Sequence, residues 1–449
     1  MALPQIWGGL ECSIVRVGDD PAPVDQFALT GHDARWEADL DAAAALGLRA
    51  LRYPASWERI APDRADAPDW RATDARLGRL RSLGVAPVLG LVHHGSGPYR
   101  TSLLDPRFGE GLAEHAAATA ARYPWVRAWT PVNEPLTTAR FAGLYGHWWP
   151  HHRDGRSALF MVANQCRAVL LAMRAIRRAV PDARLVQTED LGRVFSTPAV
   201  ADQAAHENAR RWLSFDLLAG RVRPGHAFYR GFLDAGVPKA WLDDLATGEA
   251  APDVVGINHY LTSDRFLDDR LHLHAPETHG GNGRQAYADV SAYRAPPDRH
   301  APGPEALGFA ARLREARARY PGVPLAITEV QNGCPDEAEC ALWLLDAWEA
   351  ARAVGAEGGR VVAVTAWSLF GATDWCSLLT RREGRYERGA FDARHDPPRP
   401  TLVAEAIRGL AREGRFDHPA LRGRTPWWRI AAPADAVPAC AEAQRRAAA

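Results

Sequence analysis

Apolar residues along this chain fall into short continuous blocks, separated by longer stretches with helical spacing. Eight blocks stand out: Ile6 to Val15, Leu48 to Tyr53, Val85 to Val92, Val126 to Val132, Arg184 to Thr188, Val254 to Tyr260, Leu325 to Thr328 and Val361 to Trp367. Hydrophobic residues run on within them instead of alternating with polar ones. That pattern marks strands buried on both faces, as in a parallel sheet covered by helices. Between the blocks, Asp33 to Leu46 sets Trp36, Leu40, Ala43 and Ala44 at helical spacing and ends at Gly47, a suitable C′ residue. Asp69 can cap a helix with Leu77, Leu80 and Leu83 on one face and Gly84 after it. Further helices are predicted over Glu110 to Tyr123, from a Ser157 cap to Val180, over about Pro198 to Leu218, and over Pro304 to Tyr320, Asp336 to Val354 and Thr401 to Arg412.

Eight strand–helix units predict the α/β class and a single (β/α)8 TIM barrel over residues 1–430. The Ala-rich tail, 431–449, has no periodic face and is expected to be loosely attached. Neither an internal linker nor a second domain is visible. Three connections are long: Leu136 to Arg156, Thr262 to Gly303 and Phe370 to Pro400. Long loops in a compact fold are usually functional or disordered. The first is rich in aromatics: Phe141, Tyr145, Trp148 and Trp149.

At 449 residues and 47% hydrophobic, the chain can bury a large core. Its formal net charge of zero argues against a nucleic-acid footprint. No apolar run approaches the ~18 residues of a membrane span, and no secretory signal is visible. The six cysteines lack C-x-x-C spacing, so reduced thiols in a cytoplasmic protein are expected rather than a disulfide frame or zinc site. Lys239 is the only lysine among 54 basic residues, which suggests a GC-rich bacterial genome.

Candidate chemistry lies at the strand C-terminal ends, where barrels of this kind carry their active sites. Glu134 follows the fourth block directly, after Asn133, and Pro135 then stops the strand. A carboxylate in a water-poor pocket has the raised pKa a general acid needs. Glycosidic chemistry also requires a partner carboxylate, and Glu329 at the seventh block offers one. Taken singly, either could be an ordinary loop acid. The other ends add Glu11 and Arg16, Arg52, His93 and His94, Glu189 and Asp190, His259 and Tyr260, and Trp367 with Asp374 and Trp375. The ring is acidic, hydrogen-bonding and aromatic, as a sugar pocket must be. A metal site is the competing reading. Adjacent His93 and His94 would point to opposite sides of a strand and so could not share an ion there. His94, His151 and His152 read as structural. Glu189 and Asp190 could equally anchor loops.

The ordered motifs resemble glycoside hydrolase family 1, within the clan of retaining (β/α)8 glycosidases. Trp7-Gly8 resembles its opening strand, and Arg52-Tyr53-Pro54-Ala55-Ser56-Trp57-Glu58-Arg59-Ile60 its second. Leu91-Val92-His93 is similar to its third-strand Leu-Tyr-His. Asn133-Glu134-Pro135 resembles the acid/base motif, Gly256-Ile257-Asn258-His259-Tyr260 the sixth strand, and Ile327-Thr328-Glu329 the nucleophile motif. Ala366-Trp367-Ser368-Leu369 and Asp374-Trp375 resemble its last signatures. More narrowly, the chain resembles a divergent bacterial group, some of whose members adjoin a dTDP-4-dehydrorhamnose-reductase-like domain. This chain has no G-x-G-x-x-G for that chemistry.

The resemblance implies a retaining β-glycosidase acting on O-glycosidic bonds without cofactor or metal, its partner being a small-molecule or oligosaccharide glycoside. It implies Glu329 as nucleophile and Glu134 as acid/base. Arg52 and Tyr260 would bond Glu329, Asn133 the sugar 2-hydroxyl, and Trp367 would floor the ring. His93, Asp374, Trp375, Glu11 and Arg16 complete the expected substrate contacts. Alternatives are a transglycosylase in sugar or natural-product biosynthesis, or a non-catalytic glycan-binding barrel. The chain also departs from the family. Val15 stands at the place of a first-strand Gln, with Glu11 and Arg16 nearby. His94-Gly95-Ser96 replaces Trp-Asp, Asn332-Gly333 comes late, and Asp374 replaces a Glu. Arg16, with Arg140, could read an anionic sugar. Otherwise Arg16 pairs with Glu11 or Asp374 and only shapes the pocket.

Overall fold

The structure is a computed structural model and describes residues 3–18, 22–62, 67–98, 100–289 and 302–429. Its central sheet is a closed barrel of eight strands. They are β1 (Gln5–Gly9), β2 (Ala50–Pro54), β3 (Ala86–His93), β4 (Ala128–Asn133), β5 (Arg184–Asp190), β6 (Val254–Asn258), β7 (Leu325–Val330) and β8 (Val361–Ala366). Each neighbours the next in sequence, and β8 closes on β1. Pairing is parallel, with Gly9 opposite Arg52, Arg52 opposite Val88 and His93 opposite Asn133. Strands β2, β6 and β7 are buried at every position, which explains their unbroken apolar runs.

Chain contacts divide the protein into two compact units, one of residues 8–189 and 212–256, the other of 1–7, 190–211 and 257–449. In the first unit the longest helix, Gly155–Ala179, packs on Phe108–Arg122. Contrary to expectation, it is long and apolar enough by length and composition to cross a membrane. Its apolar window is 72% buried within the fold, so it serves as a core helix. Asp154, not Ser157, caps it, accepting the Ser157 N–H at 2.8 Å. In the second unit, helices Glu337–Ala356 and Leu402–Glu413 are capped by the side chains of Asp336 and Thr401, the first residues of the ranges expected for them.

Two further sequence expectations change. The first block ends as a strand at Gly9, and Ile14–Val15 pairs instead with Val24–Asp25 in a hairpin. The expected helix over Pro198 to Leu218 breaks into Ala201–Arg210 and Leu213–Leu218. The long connection after β6 is not structureless: Arg265–Asp268 pairs with Ala286–Asp289 and with Val194–Ser196. Residues 290–301 of that connection and the tail 431–449 lie outside the described residues.

Candidate active site

Glu134 belongs to the first unit and Glu329 to the second. Strand β4 ends at Asn133, and Glu134 takes φ 47° and ψ 64°, the left-handed region. That backbone costs a non-glycine residue on the order of 1–2 kcal/mol and turns the chain out of the strand in one step. Pro135 then opens helix Pro135–Ala139, where a missing N–H costs nothing. The next two N–H groups, of Leu136 and Thr137, donate to the Glu189 carboxylate at 2.8 and 3.1 Å. The hydroxyls of Thr137 and Ser214 donate to the same group at 2.9 and 2.5 Å. Glu189 therefore caps a helix to which it does not belong. Burial pushes its pKa up to about 7 although these bonds favour its charge. Asp190 likewise accepts the Ser263 hydroxyl at 2.5 Å. Both acids anchor loops.

Asn133 sits at the centre of a buried polar network. Its Oδ1 accepts from Arg52 Nη2 at 2.7 Å and from Thr188 Oγ1 at 2.6 Å. Arginine carries only donors, so Arg52 fixes which end of the amide is oxygen. Nδ2 then faces Nε2 of His93 at 3.2 Å and Nε2 of His94 at 3.3 Å. To hold a sugar hydroxyl, as expected, the amide must release one imidazole.

The two histidines correct an expectation. They do not point to opposite sides, because His94 has φ 57° and strand alternation stops at His93. Their rings lie 4.7 Å apart at 86°. Strand alternation is therefore no ground for separating them. Among the described residues, no group of three or more His, Cys, Asp or Glu side chains could hold a metal ion. Burial, with the Arg52 charge, lowers the pKa of both rings, that of His94 to about 3.

Glu11 turns back on its own loop, accepting the N–H of Ser13 at 3.0 Å and also its hydroxyl. It lies 3.9 Å from His93 Nε2. Arg16 donates to Ser96 Oγ and to the Thr101 carbonyl, both at 2.8 Å, and lies 4.6 Å from the centre of the Trp149 ring. For Arg16, loop shaping is the role these contacts describe. Arg140 donates to the Tyr145 hydroxyl at 3.2 Å. Glu58, quoted above only as part of a motif, is an acid that sequence reasoning passed over. It accepts the Gly97 N–H at 3.1 Å, and burial pushes its pKa up to about 7.

In the second unit Glu329 lies inside β7, one residue before its end. The Tyr260 hydroxyl donates to Glu329 Oε2. The Glu329 carbonyl accepts from His259 N–H at 3.4 Å. His259 itself is a core histidine, bonded through Nδ1 to the Leu191 carbonyl and packed on Phe309. Trp367 follows β8 directly, buried, with its N–H on the Val330 carbonyl at 3.2 Å. Asp374 is engaged by its own loop. Its carboxylate accepts the N–H groups of Glu383, Gly384 and Arg385 at 3.1, 3.0 and 2.7 Å. A carboxylate has about four acceptor positions, so Asp374 organises the loop beside half-buried Trp375 more than it presents a free group. Glu387, buried on the Cys376 N–H, has a pKa pushed up to about 7 and carried no sequence signal.

The family model "Glycosyl hydrolase family 1" matches residues 26–384. The chain belongs to glycosyl hydrolase family 1. This family 1 chain is 26% identical over 441 residues to a bifunctional β-D-glucosidase/β-D-fucosidase of Bifidobacterium breve, covering 84% of this chain and 89% of that protein. It is 25% identical over 245 residues to β-glucosidase A of Thermotoga maritima, of which it spans 54%. A solved family 1 β-glucosidase from T. maritima superposes with a TM-score of 0.73 at 16% identity, covering 93% of this chain and 99% of that one. That likeness carries the barrel and nothing finer.

Proposed function

We propose that this chain hydrolyses β-glycosides with retention, with Glu329 as nucleophile and Glu134 as acid/base. The observation that carries the reading is the bond from the Tyr260 hydroxyl to Glu329. A donor to a carboxylate favours its charged form, and the charged form is the one that attacks. In the first step a Glu329 oxygen bonds to the anomeric carbon, the glycosidic bond breaks, and the Glu134 proton goes to the leaving oxygen. In the second, water attacks that carbon, Glu134 takes its proton, and the ester to Glu329 breaks. While Glu329 is charged it raises the pKa of Glu134; the ester removes that charge, so one residue serves as acid and then as base.

Arg52 orients Asn133 for the sugar 2-hydroxyl, and Trp367 floors the ring. His93, Glu11 and Trp375 complete the sugar contacts. The glucosidase and fucosidase names of the relatives, together with the engagement of Arg16 by Ser96 and Thr101 of the loop after β3, support a neutral sugar over an anionic one. A reducing, cytoplasmic setting fits the five described cysteines, all free. The test is a panel of aryl β-glycosides (gluco, galacto, fuco, manno and uronic), with the first-formed anomer followed by NMR. Retained β-product is expected from a neutral sugar. Inverted product would overturn the mechanism, and a uronide preference would overturn the neutral site. Transfer to added methanol as the main path would make the chain a transglycosylase. No turnover would leave a glycan-binding barrel.

A further inference from the structure

Just past β3, beside the strand end that carries Glu134, His94 brings its Nε2 close to the acid/base carboxyl. His94 Nδ1 lies 3.1 Å from the Thr138 hydroxyl, and Nε2 lies 3.3 Å from Asn133 Nδ2. Asn133 Nδ2 carries only hydrogens toward that contact, because Arg52 and Thr188 hold the other end of the amide as oxygen. Nε2 must therefore accept. Its proton sits on Nδ1, where the Thr138 hydroxyl oxygen receives it. The same Nε2 is 3.7 Å from Glu134 Oε2. A lone pair facing a carboxylate oxygen is repelled by it, whereas one facing a carboxyl O–H is attracted.

We propose that His94 is a positioning residue that holds Glu134 in its protonated form: its single Nε2 lone pair, taken by Asn133 Nδ2 in the empty site, accepts the Glu134 carboxyl O–H once that amide turns to the sugar 2-hydroxyl. The proposal rests on the acid/base role given to Glu134 above. The 3.7 Å gap is wider than a hydrogen bond, but catalytic bonds in empty sites are often long and tighten around substrate. The ring is held for the task. His94 is buried, left-handed at φ 57°, and packed 5.2 Å from the Trp148 ring and 4.7 Å from His93. A ring that charged would turn from acceptor to donor and would favour the Glu134 anion instead. Burial and the Arg52 charge prevent this, keeping the imidazole neutral.

Among the described residues of this unit, the charged and titratable groups near the pair include Arg52 from β2, His93 from β3, Glu11, which lies 3.9 Å from His93, and Glu189 from β5, which holds the Leu136 N–H two residues past Glu134. In the proposed mechanism Glu329 acts on Glu134 as well. All of these stay in place when only His94 is changed. The effect runs through both steps. In the first, the acid is kept loaded. In the second, the repelled carboxylate is a stronger base toward water.

His94→Phe keeps a flat ring and removes both nitrogens. The basic limb of kcat/KM, which reports the loaded acid, is expected to move down by about one pH unit, equivalent to about 1.4 kcal/mol. Loss of rate should be about tenfold for glycosides with poor leaving groups and small for dinitrophenyl glycosides. A limb that stays or moves up overturns the proposal. The second measurement needs neither turnover nor a variant that folds. The ¹⁵N shifts of His94 in the wild-type protein should show Nδ1 protonated and Nε2 bare across neutral pH. The opposite tautomer, or a charged ring, overturns the proposal. If wild-type protein turns over no glycoside, the acid/base reading of Glu134 fails by itself, and the ¹⁵N result still decides which form of a carboxyl group His94 favours.

Discussion

Glu134 and Glu329 stand at strand ends of the same barrel but are held in opposite ways. Glu329 is inside β7, its backbone still in the strand. Glu134 is one residue past β4, on a left-handed turn, beside an amide pinned by Arg52, Thr188 and two imidazoles. The difference follows from what each group is proposed to do. A nucleophile needs one position and one charge, which a strand and a phenol donor supply. An acid/base group must change protonation twice per turnover. Its surroundings therefore set neutral amide and imidazole groups between its carboxyl and the Arg52 charge.

The sharpest way to break this contrast is to remove each carboxylate. Glu329→Ala is expected to lower turnover on the order of 10⁴–10⁶-fold for every leaving group. Added azide should restore some rate and give a product of inverted configuration, read by NMR. Glu134→Ala should cost roughly 10²–10⁴-fold with poor leaving groups and far less with dinitrophenyl glycosides. Its azide product should keep the β configuration. Equal losses across leaving groups at both positions would erase the distinction.

Tyr260→Phe sharpens the nucleophile side. A bond to a charged group contributes about 1.5–3 kcal/mol. Its loss should raise the Glu329 pKa and move the acid limb of kcat/KM up by about one to two pH units. An unmoved limb would mean that Tyr260 does not hold the charge.

How much of this contrast the sequence disclosed depends on which force decides it. The eight strands were legible because burial on both faces leaves unbroken apolar runs, and Asn133-Glu134-Pro135 and Ile327-Thr328-Glu329 were legible as motifs. The convergence of His93 and His94 was hidden, because it depends on one φ angle at a residue with no glycine to announce it. Asp374 looked like a sugar ligand. Its three backbone donors come from Glu383, Gly384 and Arg385, nine to eleven residues on, across a loop no periodicity describes. Glu189 was readable only as an acid after a strand, because its partners come from two other segments.

Two stability measurements separate the regions further. Burial raises Glu58 and Glu189 in the first unit and Glu387 in the second, each to about 7 from an ordinary 4.5. A carboxyl raised by folding contributes stability that is complete below pH 4.5 and is lost as pH rises through about 7. Glu58→Gln should therefore flatten the fall of the urea midpoint between those pH values. A slope equal to that of wild type would mean that water reaches Glu58. The smallest effect is expected at Gly389, where an added Cβ would lie 1.8 Å from the Ser368 carbonyl oxygen, just after Trp367. Gly389→Ala should cost about 1–3 kcal/mol in urea unfolding and raise KM through Trp367, leaving the leaving-group dependence set by Glu134 unchanged.

The left-handed turn at Glu134 also bears on how this sequence can drift. A glycine there would relax the backbone, since it adopts positive φ without a Cβ clash, and would remove a buried acid at the same time. Folding alone thus favours Glu134→Gly, and the substituted protein should tolerate more urea than the parent. A lineage under selection only for a sound barrel would slide toward that glycine. The left-handed backbone works against a glutamate at this position, and under the proposed acid/base role it is the carboxyl group that keeps it there.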